Sequence, residues 1–494
     1  MTSSAERLVK HAAIYGTGVI FRSLTSFIML PIYTRYLTPA DYGVIGLLIV
    51  SFIIVENLFG ARLLEAVPKF YYAVQDEGSN SLSNAVVSTA LIVTTTVSLL
   101  STLLLVIIRD EFSSVAFGSI EFGTVVGIFS ITLLTSALEQ YALVFIRLQQ
   151  KPVLFVSICA CKLVVQVALN IWLVVFLELG VIGVAISAAG SSFIFAIFLT
   201  AYTVNYTGLR FNRYIAAEMI SYAWPLWVAG LAGIYIWTSS HYFIRVFGSL
   251  DEVGLFALAA KFASILMVGF WEPFFRYWQT ERFNLYHKGD ARAAFRSVFY
   301  FISTILVVVA LGISIFSDPV IRIMAAPVFH DSISIVPFLV LGTLFAALVQ
   351  FADFGCLVNG RTKLIARNTY VVALLITVLY FIAVPSFGFL GAAVGLMLAQ
   401  ATQFFLAHWT SKHLYDAEIS LKPLMLSLVF AALGYWIANR WLVQENLWLD
   451  ILQKLLVYLV ISGGIVLILM RDSEQRERLV GLLDIALSKF RKNS

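Results

Sequence analysis

Long apolar stretches separated by short polar segments follow one another along the chain of 494 residues. A helix that crosses the hydrocarbon core of a bilayer needs about 20 mostly apolar residues. Fourteen stretches are long enough, so the pattern predicts an all-α polytopic membrane protein with 14 transmembrane helices. The predicted spans are 12–34, 43–62, 84–108, 122–146, 153–177, 180–204, 222–244, 253–275, 298–316, 333–358, 364–384, 388–410, 422–441 and 448–470.

Composition supports a membrane location and narrows the chemistry. Apolar residues make up 60% of the chain and charged residues 12%, against roughly 45–50% and 25% in soluble domains. The six His and three Cys show no metal-ligand spacing, and no phosphate-binding P-loop occurs. We therefore predict no metal, no cofactor, no nucleotide and no nucleic acid as a partner.

The basic residues are distributed unevenly between alternate loops. The N-terminal segment, every second loop after it and the C-terminal tail together hold 24 of the 33 Lys and Arg. The loops between these hold 5, and the remaining 4 lie inside spans. Because cytoplasmic loops carry an excess of Lys and Arg, both termini are predicted to be cytoplasmic. Arg7 and Lys10 precede a full-length span with no small-residue cleavage site after it, so we expect an uncleaved first helix.

The last segment, 471–494, has its own periodicity. Leu479, Leu482 and Leu483 begin an apolar face at helical spacing, and basic residues occupy the remaining positions. This pattern predicts an amphipathic helix on the anionic inner leaflet. A solvated tail is the alternative.

Two sequence motifs recur at nearly the same offset. Arg35-Tyr-Leu-Thr-Pro-Ala-Asp41-Tyr-Gly43 recurs 210 positions later as Arg245-Val-Phe-Gly-Ser-Leu-Asp-Glu-Val-Gly254, with one residue inserted. Gly180-Val-Ile-Gly-Val-Ala185 recurs 208 positions later as Gly388-Phe-Leu-Gly-Ala-Ala393. Spans 1–6 and 7–12 are therefore predicted to be copies of one unit.

Six spans are an even number, so both copies have the same orientation and should be related by an axis along the membrane normal. This symmetry places a cavity between two lobes, as is typical of transporters that rock around a fixed site. The predicted domains are an N-terminal six-helix lobe (1–204), a cytoplasmic linker (205–221), a C-terminal six-helix lobe (222–412), two additional helices (413–470) and the tail (471–494).

Seven ionisable side chains in the predicted spans form the candidate site. Each costs at least about 2.5 kcal/mol near the bilayer centre, so such groups face a partner or a wet cavity. They are Arg22, Glu56, Glu139 and Lys162 in the first lobe and Lys261, Glu272 and Asp353 in the second.

Neutral polar residues recur beside these charges at three- and four-residue steps, on the same helix faces. We predict that they line the cavity, because a polar stripe facing lipid would be too costly. They are Tyr15, Ser26 and Tyr33 with Arg22, Gln166 and Asn170 with Lys162, and Gln350 with Asp353.

The depth of the charges indicates the cargo. Arg22, Lys162 and Lys261 lie nearer the middle of their spans, whereas the four acids lie in the cytoplasmic halves. We hypothesise that the three cations attract an anionic substrate, such as the phosphates of a lipid-linked molecule, with Arg22 suited to a bidentate grip. The alternative is that Arg22 and Lys162 neutralise Glu56 and Glu139 in structural pairs. The acids are candidates for proton or ion coupling.

Two stretches carry a resemblance to a known family. Pro31-Ile-Tyr-Thr-Arg-Tyr-Leu-Thr-Pro-Ala-Asp-Tyr-Gly43 and Glu252-Val-Gly-Leu-Phe-Ala-Leu-Ala-Ala-Lys261 look like the bacterial polysaccharide repeat-unit flippases of the O-antigen type. These flippases belong to the multidrug/oligosaccharidyl-lipid/polysaccharide exporter superfamily.

The resemblance implies two six-helix bundles enclosing a cavity in the bacterial inner membrane. It implies transport of undecaprenyl-pyrophosphate-linked oligosaccharide between leaflets for cell-surface polysaccharide, including the O-antigen of lipopolysaccharide. Membrane lipids, a polysaccharide polymerase and chain-length machinery are the candidate partners.

Two other functions compete with this interpretation. A cation-coupled exporter of small cationic drugs should have a mainly acidic central cavity, whereas the charges at middle depth here are basic. A membrane polymerase or acyltransferase acting on lipid-linked glycans should carry catalytic residues near a sizeable outer loop. The longest predicted outer loop, near 317–331, offers Asp318, Arg322, His330 and Asp331, and catalysis does not explain the repeat. We therefore predict a flippase and not an enzyme.

Overall fold

The computed structural model describes residues 27–60, 63–76, 80–287, 291–440 and 446–470. These residues form helices joined by short turns, and no β-strand occurs among them. The predicted all-helical membrane fold is thus confirmed.

Nine α-helices form the first half of the described chain, with a 3-10 turn at Ile120–Phe122 and a π-helical stretch at Ile171–Phe176. They are α1 (Leu30–Tyr36), α2 (Pro39–Gly60), α3 (Leu63–Asp76), α4 (Asn80–Ile107), α5 (Arg109–Phe117), α6 (Gly123–Leu148), α7 (Pro152–Asn170), α8 (Gly180–Thr207) and α9 (Arg213–Phe247).

Eight more follow in the second half, with a π-helical stretch at Leu266–Trp271 and a 3-10 helix at Pro327–Ile335. They are α10 (Leu250–Ile265), α11 (Glu272–His287), α12 (Ala291–Met324), α13 (Val336–Ala352), α14 (Phe354–Val358), α15 (Thr362–Lys412), α16 (Lys422–Arg440) and α17 (Leu447–Met470).

Eleven described helical segments are long and apolar enough to cross a membrane. They cover predicted spans 2–6 and 8–14, because Thr362–Lys412 holds two predicted spans on either side of Gly388. Helix α9 covers the seventh span, and the first span, 12–34, lies mainly outside the described residues. The count of 14 therefore stays a prediction.

The chain forms two compact units. The first contains the described residues up to Leu258 together with Met324–Phe329 and Ile376–Ala392. The second contains the described residues of Ala259–Ile323 and His330–Leu375 and those from Ala393 onward.

Helix α3 is an element of the first unit that the span pattern does not predict. It is amphipathic, and its buried residues Ala66 and Val67 pack in one core with Val87 and Tyr141 of α4 and α6. With 14 residues it is too short to cross a bilayer. The span pattern therefore leaves this segment in the loop between the second and third predicted spans.

Aromatic residues fill the interior of the second unit. Trp278 of α11 stacks on Phe351 of α13 with ring centroids 5.0 Å apart. Phe295 of α12 stacks on Phe354 of α14 at 4.5 Å. These contacts join four helices of the unit.

The glycine motif that recurs before spans 6 and 12 has the same backbone geometry in both copies. Gly180 has a φ of 54° and Gly388 a φ of 55°, a left-handed conformation that glycine adopts at little cost. Three residues later, a Cβ at Gly183 or Gly391 would press against a carbonyl of the preceding span. Both copies therefore make a sharp turn followed by a close helix contact.

Candidate functional site

Helices α2 and α10 meet through one glycine from each. A Cβ at Gly43 would overlap the carbonyl oxygen of Leu250, and a Cβ at Gly254 would overlap the carbonyl oxygen of Pro39. Gly43 and Gly254 end the two copies of the same motif, so the contact is reciprocal. We call this contact the α2–α10 seam. It requires glycine at both positions, since any side chain would push the two backbones apart.

Asp41 and Glu252 each lie two residues before the seam glycine of their motif copy, and their carboxylates bond differently. In the first copy, the Thr38 amide donates to the Asp41 carboxylate at 3.0 Å and the Asp41 amide donates to the Thr38 hydroxyl at 3.2 Å. This is a capping box that closes the start of α2. In the second copy, the Glu252 amide donates to the Ser249 hydroxyl at 3.2 Å, as in the first copy. The Glu252 carboxylate, however, accepts from the Phe389 amide at 3.1 Å. The longer side chain thus ties α10 to the turn at Gly388.

The predicted cation Lys162 lies beside the predicted acid Glu139. The Lys162 ammonium donates to the Glu139 carboxylate and, at 3.3 Å, to the Ser192 hydroxyl. The Glu139 side chain is 3% exposed and that of Lys162 is 19% exposed. This contact is the one that the pairing alternative requires. A substrate role for Lys162 stays a prediction.

Two predicted cavity residues, Tyr33 and Asn170, bond to each other. The Tyr33 hydroxyl donates to the Asn170 side-chain oxygen at 2.6 Å, and the Ser187 hydroxyl donates to the same oxygen at 2.8 Å. The Asn170 amide donates to the backbone carbonyl of Gln166 at 2.9 Å. Tyr33 and Asn170 are both buried, so this network joins α1, α7 and α8.

Glu56 of α2 contacts the residue next to Glu139. The Gln140 side-chain amide donates to the Glu56 carboxylate at 2.9 Å. Helix α6 therefore presents neighbouring polar residues to two helices, α2 through Gln140 and α7 through Glu139. Gln140 is not among the predicted site residues, although its position beside an intramembrane acid could have indicated it.

In the second unit, Asp353 and Gln350 lie near Arg282. One guanidinium nitrogen of Arg282 donates to the Gln350 carbonyl at 3.2 Å, and its charge acts on Asp353. The guanidinium also lies over three aromatic rings at 5.3–5.6 Å. The span pattern places Arg282 in a loop, but the structure buries it, with 7% exposure, in α11. Burial lowers the pKa of Arg282, and the charge of Asp353 opposes this.

The remaining predicted site residues are partly exposed or lie outside the described residues. Glu272 is partly exposed and forms an ion pair with Arg276 at 3.7 Å. Lys261 is partly buried and lies seven residues after Gly254 in α10, which places both on one helix face, about two turns apart. Arg22, Tyr15 and Ser26 lie outside the described residues.

A second buried lysine lies outside the predicted site. Lys454 of α17 is 1% exposed and donates to Asp318 at 2.6 Å and to Asp450 at 2.8 Å. Arg322 also donates to Asp318, at 2.6 Å. The outer-loop prediction for Asp318 and Arg322 was wrong, because α12 continues through both to Met324. Their ion pairs with each other and with Lys454 offset the cost of placing these charges in an apolar helix.

The fold defines a class of protein. Lipid II flippase MurJ in an inward closed conformation shares it with a TM-score of 0.74 at 12% identity, over 94% of this chain and 100% of that chain. An inward-facing MATE family multidrug transporter of the MOP superfamily matches with a TM-score of 0.61 at 15% identity, over 81% and 94%. The MATE multidrug transporter DinF-BH matches with a TM-score of 0.61 at 14% identity, over 84% and 97%. The chain thus has the multi-pass membrane fold of this group of transporters.

The sequence gives a narrower assignment. The family described as polysaccharide biosynthesis protein matches residues 8–274, which is more than half of the chain. No curated protein matches the chain. The chain belongs to the polysaccharide biosynthesis protein family.

Proposed function

We propose that the protein is a flippase that moves undecaprenyl-pyrophosphate-linked oligosaccharide repeat units from the cytoplasmic to the outer leaflet of the bacterial inner membrane. It works by alternating access, without catalysis, and supplies cell-surface polysaccharide. Both termini lie in the cytoplasm in this proposal. The family assignment carries it, since a polysaccharide family with a transporter fold needs a lipid-linked cargo to bring sugars across a membrane.

The likeness to the lipid II flippase supports the class of cargo. That protein is a flippase of lipid II, and its fold covers nearly the whole of this chain. Basic side chains inside the spans fit the pyrophosphate of such a cargo, because charge-assisted hydrogen bonds to phosphate oxygens are strong. We assign this role to Arg22, Lys162 and Lys261.

The α2–α10 seam has a place in the proposed cycle. Under the predicted orientation it lies on the outer side, so it is closed while the cargo enters from the cytoplasm. The four acids Glu56, Glu139, Glu272 and Asp353 are proposed to couple transport to protons or another ion or, as Glu139 does here, to form pairs. A polymerase and chain-length machinery are proposed to act on the delivered units.

The position of accumulated repeat units in a deletion strain tests the proposed reaction. Loss of a flippase should leave lipid-linked repeat units on the inner leaflet, protected from reagents outside the membrane. Accumulation of unpolymerised units on the outer leaflet would instead indicate a polymerase and would contradict the proposal.

Charge-removing variants test the proposed residues separately from the reaction. Arg22→Gln and Lys261→Gln should lower transport at least tenfold while the protein remains folded, and Lys422→Gln, on the exposed start of α16, is the control. If both variants transport as well as the wild type, these cations do not bind the cargo, although the protein can still be a flippase.

A second candidate is a cation-coupled exporter of small molecules. The fold shared with MATE multidrug transporters favours it. Proteoliposomes that accumulate a cationic dye under an ion gradient, and leave lipid-linked oligosaccharide unmoved, would support this candidate over the flippase.

A further inference from the structure

A short folded segment joins the third and fourth predicted spans, on the outer side in the predicted orientation. It consists of α5, a turn at Gly118 and the 3-10 turn Ile120–Phe122. The Ser113 hydroxyl donates to the Ser119 carbonyl at 2.5 Å, and the Glu121 amide donates to the Ser119 hydroxyl at 3.2 Å. These bonds close the segment on itself. We call it the outer strap.

Arg245, near the end of α9, binds the carboxyl end of the outer strap's helix. Its Nε donates to the Phe117 carbonyl at 2.8 Å, and its Nη2 donates to the same oxygen at 2.5 Å. Phe117 is the last residue of α5, and carbonyls at the end of a helix carry partial negative charge that favours a cation. Two charge-assisted hydrogen bonds therefore hold α9 to the strap.

Gly118 makes room for this contact. Its φ of 70° ends α5 in a left-handed turn, which glycine adopts at little cost. A Cβ at Gly118 would overlap the Nη2 of Arg245. A side chain at this position would therefore push the guanidinium away from the Phe117 carbonyl.

The contact joins elements of the two predicted lobes, although all of its residues lie in the first compact unit. The outer strap belongs to the predicted lobe 1–204, and α9 continues into the predicted lobe 222–412. A second polar contact of this kind lies nearby, since the hydroxyls of Ser51 in α2 and Tyr242 in α9 are 2.6 Å apart. Tyr242 and Arg245 lie within one turn of α9. The end of α9 can leave α2 and the strap only if Arg245 releases the Phe117 carbonyl.

The other motif copy has an arginine at the corresponding position. Arg35 lies in the last turn of α1 and is exposed. Arg245 is instead partly buried against the strap. The docked guanidinium thus depends on Phe117 and Gly118, and not on the motif alone.

We propose that Arg245 is a latch that keeps the outer side of the transport path closed. Its guanidinium binds the Phe117 carbonyl while the path is closed to the outside, and the outer side opens when the guanidinium withdraws. The inference rests on the proposed function and orientation, and it names the contact that controls release of the cargo to the outer leaflet.

Access to a buried position from outside tests the latch without measuring transport. Ser51→Cys is introduced after the three natural cysteines are replaced by alanine. Ser51 is 1% exposed, so an impermeant maleimide added to spheroplasts should label it only when α2 and α9 separate toward the outside. Arg245→Gln should raise the labelling rate about tenfold, the effect of losing charge-assisted hydrogen bonds in the closed state. Arg245→Lys keeps the charge and should give a smaller increase.

Arg35→Gln is the matched control, since it removes the exposed arginine of the other motif copy, and it should leave labelling unchanged. Gly118→Ala should raise the rate about as much as Arg245→Gln. The double variant should be labelled no faster than Arg245→Gln alone, because both changes remove the same contact.

Labelling at the wild-type rate in folded Arg245→Gln protein would overturn the latch, as would an equal increase in Arg35→Gln. If Arg245→Gln does not fold, Arg245→Lys and Gly118→Ala carry the test, and wild-type labelling of both would overturn the latch. Labelling requires no cargo, so a failed latch leaves the flippase proposal standing, and a failed transport assay leaves the labelling result standing.

Discussion

The two copies of the motif that begins α2 and α10 share a backbone contact and an amide–hydroxyl bond, and they differ in what their carboxylates bond to. Gly43 and Gly254 press against carbonyls of the opposite helix in the same way. Asp41, however, closes the start of its own helix, whereas Glu252 reaches the Phe389 amide. The close backbone approach is thus common to both copies, while one extra methylene group redirects the carboxylate from a local cap to a long-range contact.

Two contacts between helical segments, one in each unit, differ in charge. Glu139 and Lys162 form an ion pair between α6 and α7. The Asn368 amide donates to the Thr410 hydroxyl at 3.2 Å, so a neutral contact joins the two parts of α15. The ion pair has more free energy at stake than the neutral contact, because a buried charge that loses its partner is costly.

Glu139→Gln should produce the largest loss of stability. It leaves the Lys162 charge without its carboxylate, which costs about 3–5 kcal/mol. Asn368→Ala removes the neutral contact within α15 and should cost about 1 kcal/mol. Thermal unfolding of the purified proteins in detergent measures both, and equal losses would contradict the difference between the two contacts.

A double variant separates the two roles considered for Lys162. Glu139→Gln combined with Lys162→Met should recover most of the lost stability, since no unpaired charge remains. If Lys162 binds the cargo, this stable protein should transport at least tenfold more slowly than the wild type. Transport at the wild-type rate would show that the pair is structural.

Side chains at the seam glycines should have the next largest effect. Gly43→Val and Gly254→Val each force the backbones of α2 and α10 apart, at a cost of about 1–3 kcal/mol. The losses should be similar, because the two contacts are reciprocal. Gly233→Val in α9 is the control, since a Cβ there meets nothing within 4 Å. An equal loss of stability in the control would show that the seam glycines are no more important to the fold than Gly233.

Changing the length of the motif acids should have the smallest effect. Glu252→Asp shortens the side chain away from the Phe389 amide and should cost about 1 kcal/mol. Hydrogen exchange at Phe389 should become about fivefold faster, as that loss implies. Asp41→Glu should leave exchange at Phe389 unchanged, since Asp41 bonds within its own turn. Faster exchange in both variants would contradict the separate roles of the two acids.

Hydropathy alone predicts most of the fold, because the bilayer requires long apolar helices. It does not predict α3, a 14-residue amphipathic helix that packs on the first unit instead of crossing the membrane. The glycine motifs could be found in the sequence by their spacing, but the overlap that a Cβ at Gly43 would make with the Leu250 carbonyl depends on how the helices cross.

The charge contacts were harder to predict than the spans. The free-energy cost of a charge inside a span indicates that Glu139 and Lys162 need partners. Their ion pair agrees with the alternative that Lys162 neutralises Glu139. Lys454 and Asp318 are 136 residues apart in the chain, so no local pattern joins them. Arg282 lies just beyond a span, where sequence suggests solvent, but aromatic rings enclose it. Each of these contacts depends on how helices that are separate in the sequence pack against one another.

Transport in a defined membrane tests the flippase proposal most directly. Purified protein is placed in liposomes that carry a fluorescent undecaprenyl-pyrophosphate oligosaccharide, and an impermeant reagent removes the label from the outer leaflet. The account predicts that label from the inner leaflet reaches the reagent much faster with the wild type than in protein-free liposomes. An equal rate in both would contradict it.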